Sequence, residues 1–471
     1  MLDTATGLRR ALLVGALIAA APAAFAQETL SASQRAKIDD AVTSVLAGTG
    51  APGSSIAVVW GGRIVYEHGY GSARLAPPTP ATTAMRYSIG SVSKQFTATA
   101  VLLLAEEKRL SLEDKVRRWL PDLTRANDVS IRQLLSMTAG YQDYWPQDYV
   151  FPAMLQPTTP KGVLDQWARK PLDFEPGAKW QYSNTNYIIA GMIVERVSGM
   201  RLMDFLQRRV FSPLGMTSVK DVDAAPLGAD DAAGYLRNAL GPLRPAPKEA
   251  KGWLFAAGQL AMTAHDLALW DISMINQRVL KPASYRAMQT GVLLTNGAPS
   301  PYGLGVSVAT VNGRRRIAHG GAVSGYLSLN QIYPDERVAI VAFSNIYPGG
   351  LPLSRIAERI EKVIFEPADA ESAKALDQTR LIFVDFQKGK IDRALFTANA
   401  NAYFTDQVLS DFTSSLGPLG APTEFTQARL EMRGGMLFRA FRVKCGVTNL
   451  ELTTRTLPDG KIEQYQVERA D

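Results

Sequence analysis

The rhythm of apolar and polar positions changes several times along the chain. Residues 31 to 47 place apolar side chains at helical spacing and predict an amphipathic helix. "SSIAVVW" and "RIVYEHGYG", separated by Gly61-Gly62, read as two strands around a tight turn. A long helical region is expected from 91 to 123, followed by shorter helices with Pro and Gly punctuation from 124 to 290. In "MTAHDLALW", Thr263 is the expected cap. From Tyr302 to Asn345 the pattern returns to strands. "YGLGVSVATV" and "RRRIAHGG" flank Asn312-Gly313, and "YLSLNQIY" and "RVAIVAFSN" flank Pro334-Asp335-Glu336. "LSRIAERIEKVIF" then reads as a helix. Strands at both ends with helices between them predict an α/β architecture: one antiparallel sheet flanked by helices, with an inserted all-helical lobe.

Two further segments stand apart. Arg9 and Arg10, the apolar stretch "ALLVGALIAA" and the small-residue site "AFAQ" predict a signal peptide over 1–26, cleaved after Ala26. The mature protein is therefore expected to be secreted through this signal into the periplasm, without a stable membrane anchor. At the other end, 366–376 reads as a small, polar, charged linker. Residues 377–471 then give helices followed by alternating strands with turns at Gly434-Gly435 and Asp459-Gly460, the pattern of a small α+β domain. The main domain is thus bounded at 27–365.

Composition removes several functions. The chain has 471 residues, 46% hydrophobic and 20% charged, with formal net charge +7. The one tight basic run, Arg314-Arg315-Arg316, follows a turn and reads as a solvated hairpin arm, so no nucleic-acid partner is expected. One cysteine, Cys445, allows no intrachain disulfide. With only His68, His265 and His319 beside it, a zinc site lacks ligands, so no metal and no cofactor are expected. Structural roles are assigned to His68 and His265.

The chemistry centres on "SIGSVSKQF". Ser91 and Lys94 stand three residues apart at a helix start, on one face. The first helical turn disfavours an ammonium group, and burial disfavours it further, so a lysine there loses its proton easily and can activate a serine. An isolated S-x-x-K is usually a capped helix with a surface lysine, so the motif needs companions. Tyr182-Ser183-Asn184 precedes a strong helical pattern, where Ser183 or Asn184 could simply be a cap. In "IAHGGAVSGY", His319 is expected to end a strand, and glycines including Gly321 can let a substrate approach the backbone.

In that order, S-x-x-K, Y-x-N and [KH]-x-G resemble the serine β-lactamase and penicillin-binding protein superfamily. "GSVSKQFTA" is most similar to class C β-lactamases and the related esterases and D-amino-acid peptidases. "SLEDKVRRWLPDL", "SIRQLLSMTAG", "YSNTNYIIAGMIVERVSG" and "HGGAVSGY" extend the resemblance over roughly residues 30 to 365. It implies a β-lactamase/transpeptidase-like fold and a serine hydrolase working through an acyl-enzyme on an ester or a peptide-like amide. By the same resemblance Ser91 is the nucleophile, Lys94 shares the proton transfer, and Tyr182 is a general base with a lowered phenol pKa. Asn184 holds substrate or Lys94, His319 contacts substrate and polarises Tyr182, and the N–H groups of Ser91 and Ala322 form the oxyanion hole. The substrate is a small molecule or peptide, cell-wall material included. β-Lactamase or D-alanyl-D-alanine carboxypeptidase activity, and non-catalytic binding of cell-wall peptides, are the alternatives. Two positions depart from the pattern. β-Lactamases usually carry lysine where this chain has His319, and relatives with "LLxHTSG" carry histidine where it has Met137. The aromatics from Tyr141 to Trp145 either line the pocket or pack beneath their loop. The C-terminal segment resembles the cone-shaped α+β domains of the nuclear transport factor type.

Overall fold

The computed structural model describes residues 30–147, 149–347, 352–365 and 370–470. The expected signal segment and residues 366–369 of the expected linker lie outside them. The chain divides into two compact units, Met1–Val363 and Ile364–Asp471.

The first unit is built on a seven-stranded antiparallel sheet. Its order is Pro78–Pro80, Arg63–Leu75, Gly53–Trp60, Val338–Ser344, Tyr326–Tyr333, Arg314–Val323, Ser307–Val311. The two central strands come from opposite ends of the unit and pair from Ser54↔Ser344 to Val59↔Ala339. Both are buried on both faces, which is why "SSIAVVW" and "VAIVAFS" read as continuous runs rather than alternating ones. The helix Ala32–Thr49 lies against the first two strands. It opens with a reciprocal capping box, Ser31 with Gln34. The helix Ala264–Ile275, capped by Thr263, packs on the central strands.

The helical lobe carries Ser93–Glu106, Asn184–Ser198 and shorter pieces between them. The long helix expected from 91 to 123 is shorter than its pattern. Glu107 closes it, Lys108 turns into the left-handed region at φ 58°, and the following residues form turns with one short 3-10 segment, Val116–Arg118. The polar run Ser111, Glu113 and Asp114 satisfies its own backbone there: Ser111 N–H donates to Asp114 and Glu113 N–H to Ser111, so a turn replaces the helix.

The second unit places a four-stranded antiparallel sheet, Glu424–Arg433 to Ile462–Arg469, beside helices. Its core gathers Phe383, Phe386, Phe404, Phe441, Leu452 and Tyr465. The linker expected through residue 376 is overturned from Ala370 onward, where the helix Ala370–Phe386 begins. Its alanines, glutamate, lysine and leucine are small or charged, as a linker's are, but they are also strong helix formers.

Candidate active site

Ser91 sits in a 3-10 turn, Gly90–Val92, that runs straight into the helix Ser93–Glu106. Gly90 has φ +48°, and a Cβ there would lie 3.0 Å from the Ala322 nitrogen. Only glycine lets the turn approach the sheet edge this closely.

Lys94 follows in the first helical turn and is fully buried. Its Nζ lies 2.9 Å from Ser91 Oγ, 2.8 Å from Asn184 Oδ1 and 2.8 Å from the Ala257 carbonyl oxygen. Burial lowers its pKa from 10.5 to about 7, while the negative charge of Asp143 works the other way. The three contacts suit the neutral amine. Two N–H bonds point at two carbonyl oxygens, which can only accept, so the lone pair is left facing the Ser91 hydroxyl. Ala257 is itself held in place. Its neighbour Ala256 is in the left-handed region at φ 56°, with its carbonyl taken by Thr97 Oγ1 at 2.7 Å and its N–H by Gln259 Oε1 at 2.7 Å. No sequence signal marks Ala257, because it acts through its backbone.

Asn184 is the first residue of Asn184–Ser198. The helix is not capped by Ser183 or Asn184 side chains. Asp143, from a distant loop, accepts the Asn184 backbone N–H at 2.9 Å on Oδ1 and the Asn184 side-chain Nδ2 at 3.3 Å on Oδ2. Its Oδ1 also accepts the Trp145 N–H at 3.2 Å. With its backbone N–H and its Nδ2 directed to Asp143, Asn184 turns Oδ1 toward Lys94. Of its two expected roles, holding Lys94 is the one the geometry shows. Asp143 is a site residue that the motifs missed. Its only signal was an acid inside an otherwise aromatic stretch, "YQDYW".

Tyr182 stands beside Ser91 and lines the same cavity. Its hydroxyl is buried and meets no hydrogen-bond partner. Contrary to the expectation of a lowered phenol pKa, burial raises it, opposed by the nearby Ser91 hydroxyl and reinforced by the charge of Asp143. The expectation assumed a positive neighbour. At a pKa of about 7 Lys94 is only partly charged near neutral pH, and His319 carries no charge, so burial prevails.

His319 departs furthest from its expected place. The strand does not end there but runs through the glycines to Val323. The imidazole is 6% exposed. Its Nδ1 lies 2.6 Å from the Gly320 carbonyl oxygen, so that nitrogen carries the proton, and Nε2, 2.7 Å away, accepts from the Tyr302 hydroxyl. Burial first, then the charge of Lys94, lowers its pKa to about 3. His319 is not among the residues lining the cavity. Its ring packs 6.3 Å from that of Tyr182 instead. The ring is therefore a buried, neutral support in this structure.

The glycines after it do face the cavity. Pairing to the outermost strand stops at Ala318↔Ser307, whereas pairing to the inner neighbour continues through Val323↔Tyr326. From His319 onward one edge of the strand thus has no strand partner, and it faces the Ser91 turn. A Cβ on Gly321 would lie 2.0 Å from the Ile89 carbonyl oxygen and 2.2 Å from Ser328 Oγ. Ser328 Oγ donates to that same carbonyl at 2.6 Å, tying strand to turn. Ser91 and Ala322 therefore bring backbone from two elements to one point.

The cavity above them measures about 1170 Å³. Ser91, Tyr182 and Asn184 line it together with Gly320 to Val323 and with Asp143, Tyr144 and Trp145. Tyr141 instead packs beneath the loop, its hydroxyl donating to the Thr124 carbonyl at 2.9 Å. Met137 takes the relatives' histidine position with a sulfur that accepts from Ser183 N at 3.4 Å and Asn186 Nδ2 at 3.7 Å. His265 is partly exposed, 2.8 Å from Glu67 through Nδ1, and His68 packs against Tyr70; neither lines the cavity. Among the described residues no group of three or more His, Cys, Asp or Glu could hold a metal ion.

Comparison with known proteins matches a family model described as Beta-lactamase to residues 38–363. A penicillin-binding protein of Bacillus subtilis (strain 168) is 28% identical over 396 residues, 81% of this chain and 84% of the relative. A D-aminopeptidase of Brucella anthropi is 29% identical over 332 residues, 69% of this chain; the match spans 61% of the relative's own length. A D-stereospecific amidohydrolase from Streptomyces sp. superposes with a TM-score of 0.61 at 26% identity, covering 71% of this chain and 99% of that one.

Proposed function

The chain belongs to the Beta-lactamase family of serine hydrolases, and from that premise we propose that Ser91 is its nucleophile, cleaving amide or peptide bonds through an acyl-enzyme. The observation that carries this reading is the Lys94 amine, held by two carbonyl oxygens with its remaining face toward Ser91 Oγ at 2.9 Å. The Ser91 proton passes to Nζ as Oγ bonds to the substrate carbonyl carbon. The oxygen that becomes negative is stabilised by the N–H groups of Ser91 and Ala322. Tyr182, a neutral phenol, relays a proton to the leaving nitrogen as the C–N bond breaks. Water then attacks the ester carbonyl carbon, and Lys94 takes the water proton and passes it to Ser91 Oγ as the acyl C–O bond breaks. His319 supports Tyr182 and the strand from behind.

A D-amino-acid amide or peptide is the substrate class we favour, since the D-aminopeptidase and the D-stereospecific amidohydrolase share this fold. We read residues 27–365 as the hydrolase domain and 377–471 as a separate α+β domain. We read residues 1–26 as a cleaved signal for export to the periplasm, where cell-wall peptides are accessible. Among the described residues no helix is long and apolar enough to cross a membrane.

The test is covalent labelling. Intact-protein mass spectrometry after a fluorophosphonate or a slow acylating substrate should add one acyl group to wild type and none to Ser91→Ala. An adduct on a folded Ser91→Ala protein would overturn the assignment.

A further inference from the structure

Asp143 does more than hold Asn184. An ionised carboxylate offers about four lone-pair sites. Three N–H groups reach this one: Asn184 N and Trp145 N on Oδ1, and Asn184 Nδ2 on Oδ2 at a long 3.3 Å. The free capacity is therefore on Oδ2, and Asp143 lines the cavity that holds Ser91. Asp143 forms no ion pair among the described residues; Lys94 acts on it only through space. The nearest cationic side chain, Lys94, is turned away by Asn184, whose Oδ1 takes it. Burial disfavours the charge on Asp143 and Lys94 compensates it only through space, so a ligand that brings a cation into contact with Oδ2 is favoured.

Resting on the hydrolase reading above, we infer that Asp143 is a specificity-determining residue that binds the protonated α-amino group of the substrate. Two hydrogen-bonded side chains, Asn184 and Lys94, separate it from Ser91. Ser91 and Asp143 line one cavity, so a substrate that acylates Ser91 shares that space with the Asp143 carboxylate. The substrate class is then an amino-acid amide or a peptide with a free amino terminus. N-acylated compounds, including peptides attacked from their carboxyl end, place a neutral amide against the carboxylate and forgo the ion pair.

The experiment uses the whole chain and three p-nitroanilides of matched shape: alanine with a free amine, N-acetylalanine, and the des-amino propionyl compound, with both enantiomers of the first two. Wild type should favour the free amine in kcat/KM over both others by about tenfold or more, the scale of one charge-assisted hydrogen bond. In Asp143→Asn that ratio should collapse toward one, chiefly through KM of the amine substrate. If Asp143 acted only by positioning Asn184 and Lys94, all three rates would fall together and the ratio would survive, overturning the inference. Equal use of the three substrates by wild type would overturn it too, and that measurement stands even if Asp143→Asn does not fold. Fluorophosphonate labelling of wild type separates the two readings. Labelling with a flat ratio removes only the amine site, and no labelling removes the hydrolase reading beneath it.

Discussion

The pH dependence of kcat/KM should report the Lys94 amine directly. At its ordinary pKa of 10.5, roughly one lysine in three thousand is neutral at pH 7. At about 7, half of them are. Burial thus supplies about a thousandfold more base at neutral pH, at an electrostatic cost on the order of 5 kcal/mol for the buried ammonium. The two carbonyl contacts and the faces of Tyr182 and Tyr187, 5.0 and 5.6 Å from Nζ, offset part of that cost. With p-nitrophenyl acetate between pH 5 and 8, kcat/KM should rise with unit slope and bend near 7. At pH 5 it should be about a hundredfold below its plateau, because only the unprotonated lysine accepts the serine proton. Three other groups could mimic this limb, of which Asp223 is raised to about 6 by burial but does not line the cavity. Histidine ordinarily titrates near 6.5, but His319 is held at about 3. Glu249, which accepts the Ser324 N–H at 2.7 Å, is raised to about 7 by burial but does not line the cavity. His319→Gln and Glu249→Gln should therefore leave the bend where it is. Asp143→Asn should move it to lower pH, since the Asp143 charge holds the lysine pKa up. A bend that follows His319 or Glu249, or a profile flat from 5 to 8, would refute the assignment of Lys94 as the base.

Other outcomes follow from the same geometry. Gly321→Ala drives a methyl group into the Ile89 carbonyl and should cost about 3 kcal/mol or more, read as a fall in the denaturation midpoint, with activity lost alongside. Asp271 is fully buried, and both of its oxygens take Asn330 Nδ2, at 2.6 and 2.8 Å. Burial raises its pKa well above 3.8, so the folded state keeps a proton that the unfolded state releases. Stability from this group is complete below pH 4 or so and declines as pH rises toward the folded pKa. Thermal melts at pH 5 and 8 should show a smaller loss at pH 8 for Asp271→Asn than for wild type. A chain ending at Phe365 should still hydrolyse p-nitrophenyl acetate, because the cavity-lining residues end at Ser354.

How far the sequence carried depended on what kind of atom does the work. Short motifs at fixed spacing were legible as a set: Ser91 with Lys94 at a helix start and Tyr182 two residues before Asn184 are each weak alone, and their order carried the family resemblance. The central strands were equally plain, because burial on both faces writes itself as an unbroken apolar run. Ala257 was invisible because any residue has a carbonyl, and its use depends on the turn at Ala256. Asp143 was hidden because it serves a helix that starts 41 residues later. For His319 the residue type was informative, but its burial and its partners were not legible. Its orientation is set by Tyr302, 17 residues away, a pairing that no spacing rule contains. Tyr182 failed in the same manner: its pKa depends on whether its neighbours are charged, and that is a property of the assembled site.

The pairing of Ser54 with Ser344 also governs when this protein can fold. Closing a loop of nearly 300 residues must precede the reward of that pairing, and loop closure of this span places the step late. During synthesis Gly53–Trp60 emerges early as an apolar strand whose partner Val338–Ser344 has not yet been made. Until then its unpaired edge is a template for association with another chain. The Arg63–Leu75 strand can cover one edge of it at once through the adjoining turn, so a native-like hairpin is the natural holding form. The Ser91 turn, which must meet the Arg314–Val323 strand, likewise stays incomplete until the later strands arrive. Nascent chains released before residue 344 should therefore depend on holdase protection and show no hydrolytic activity.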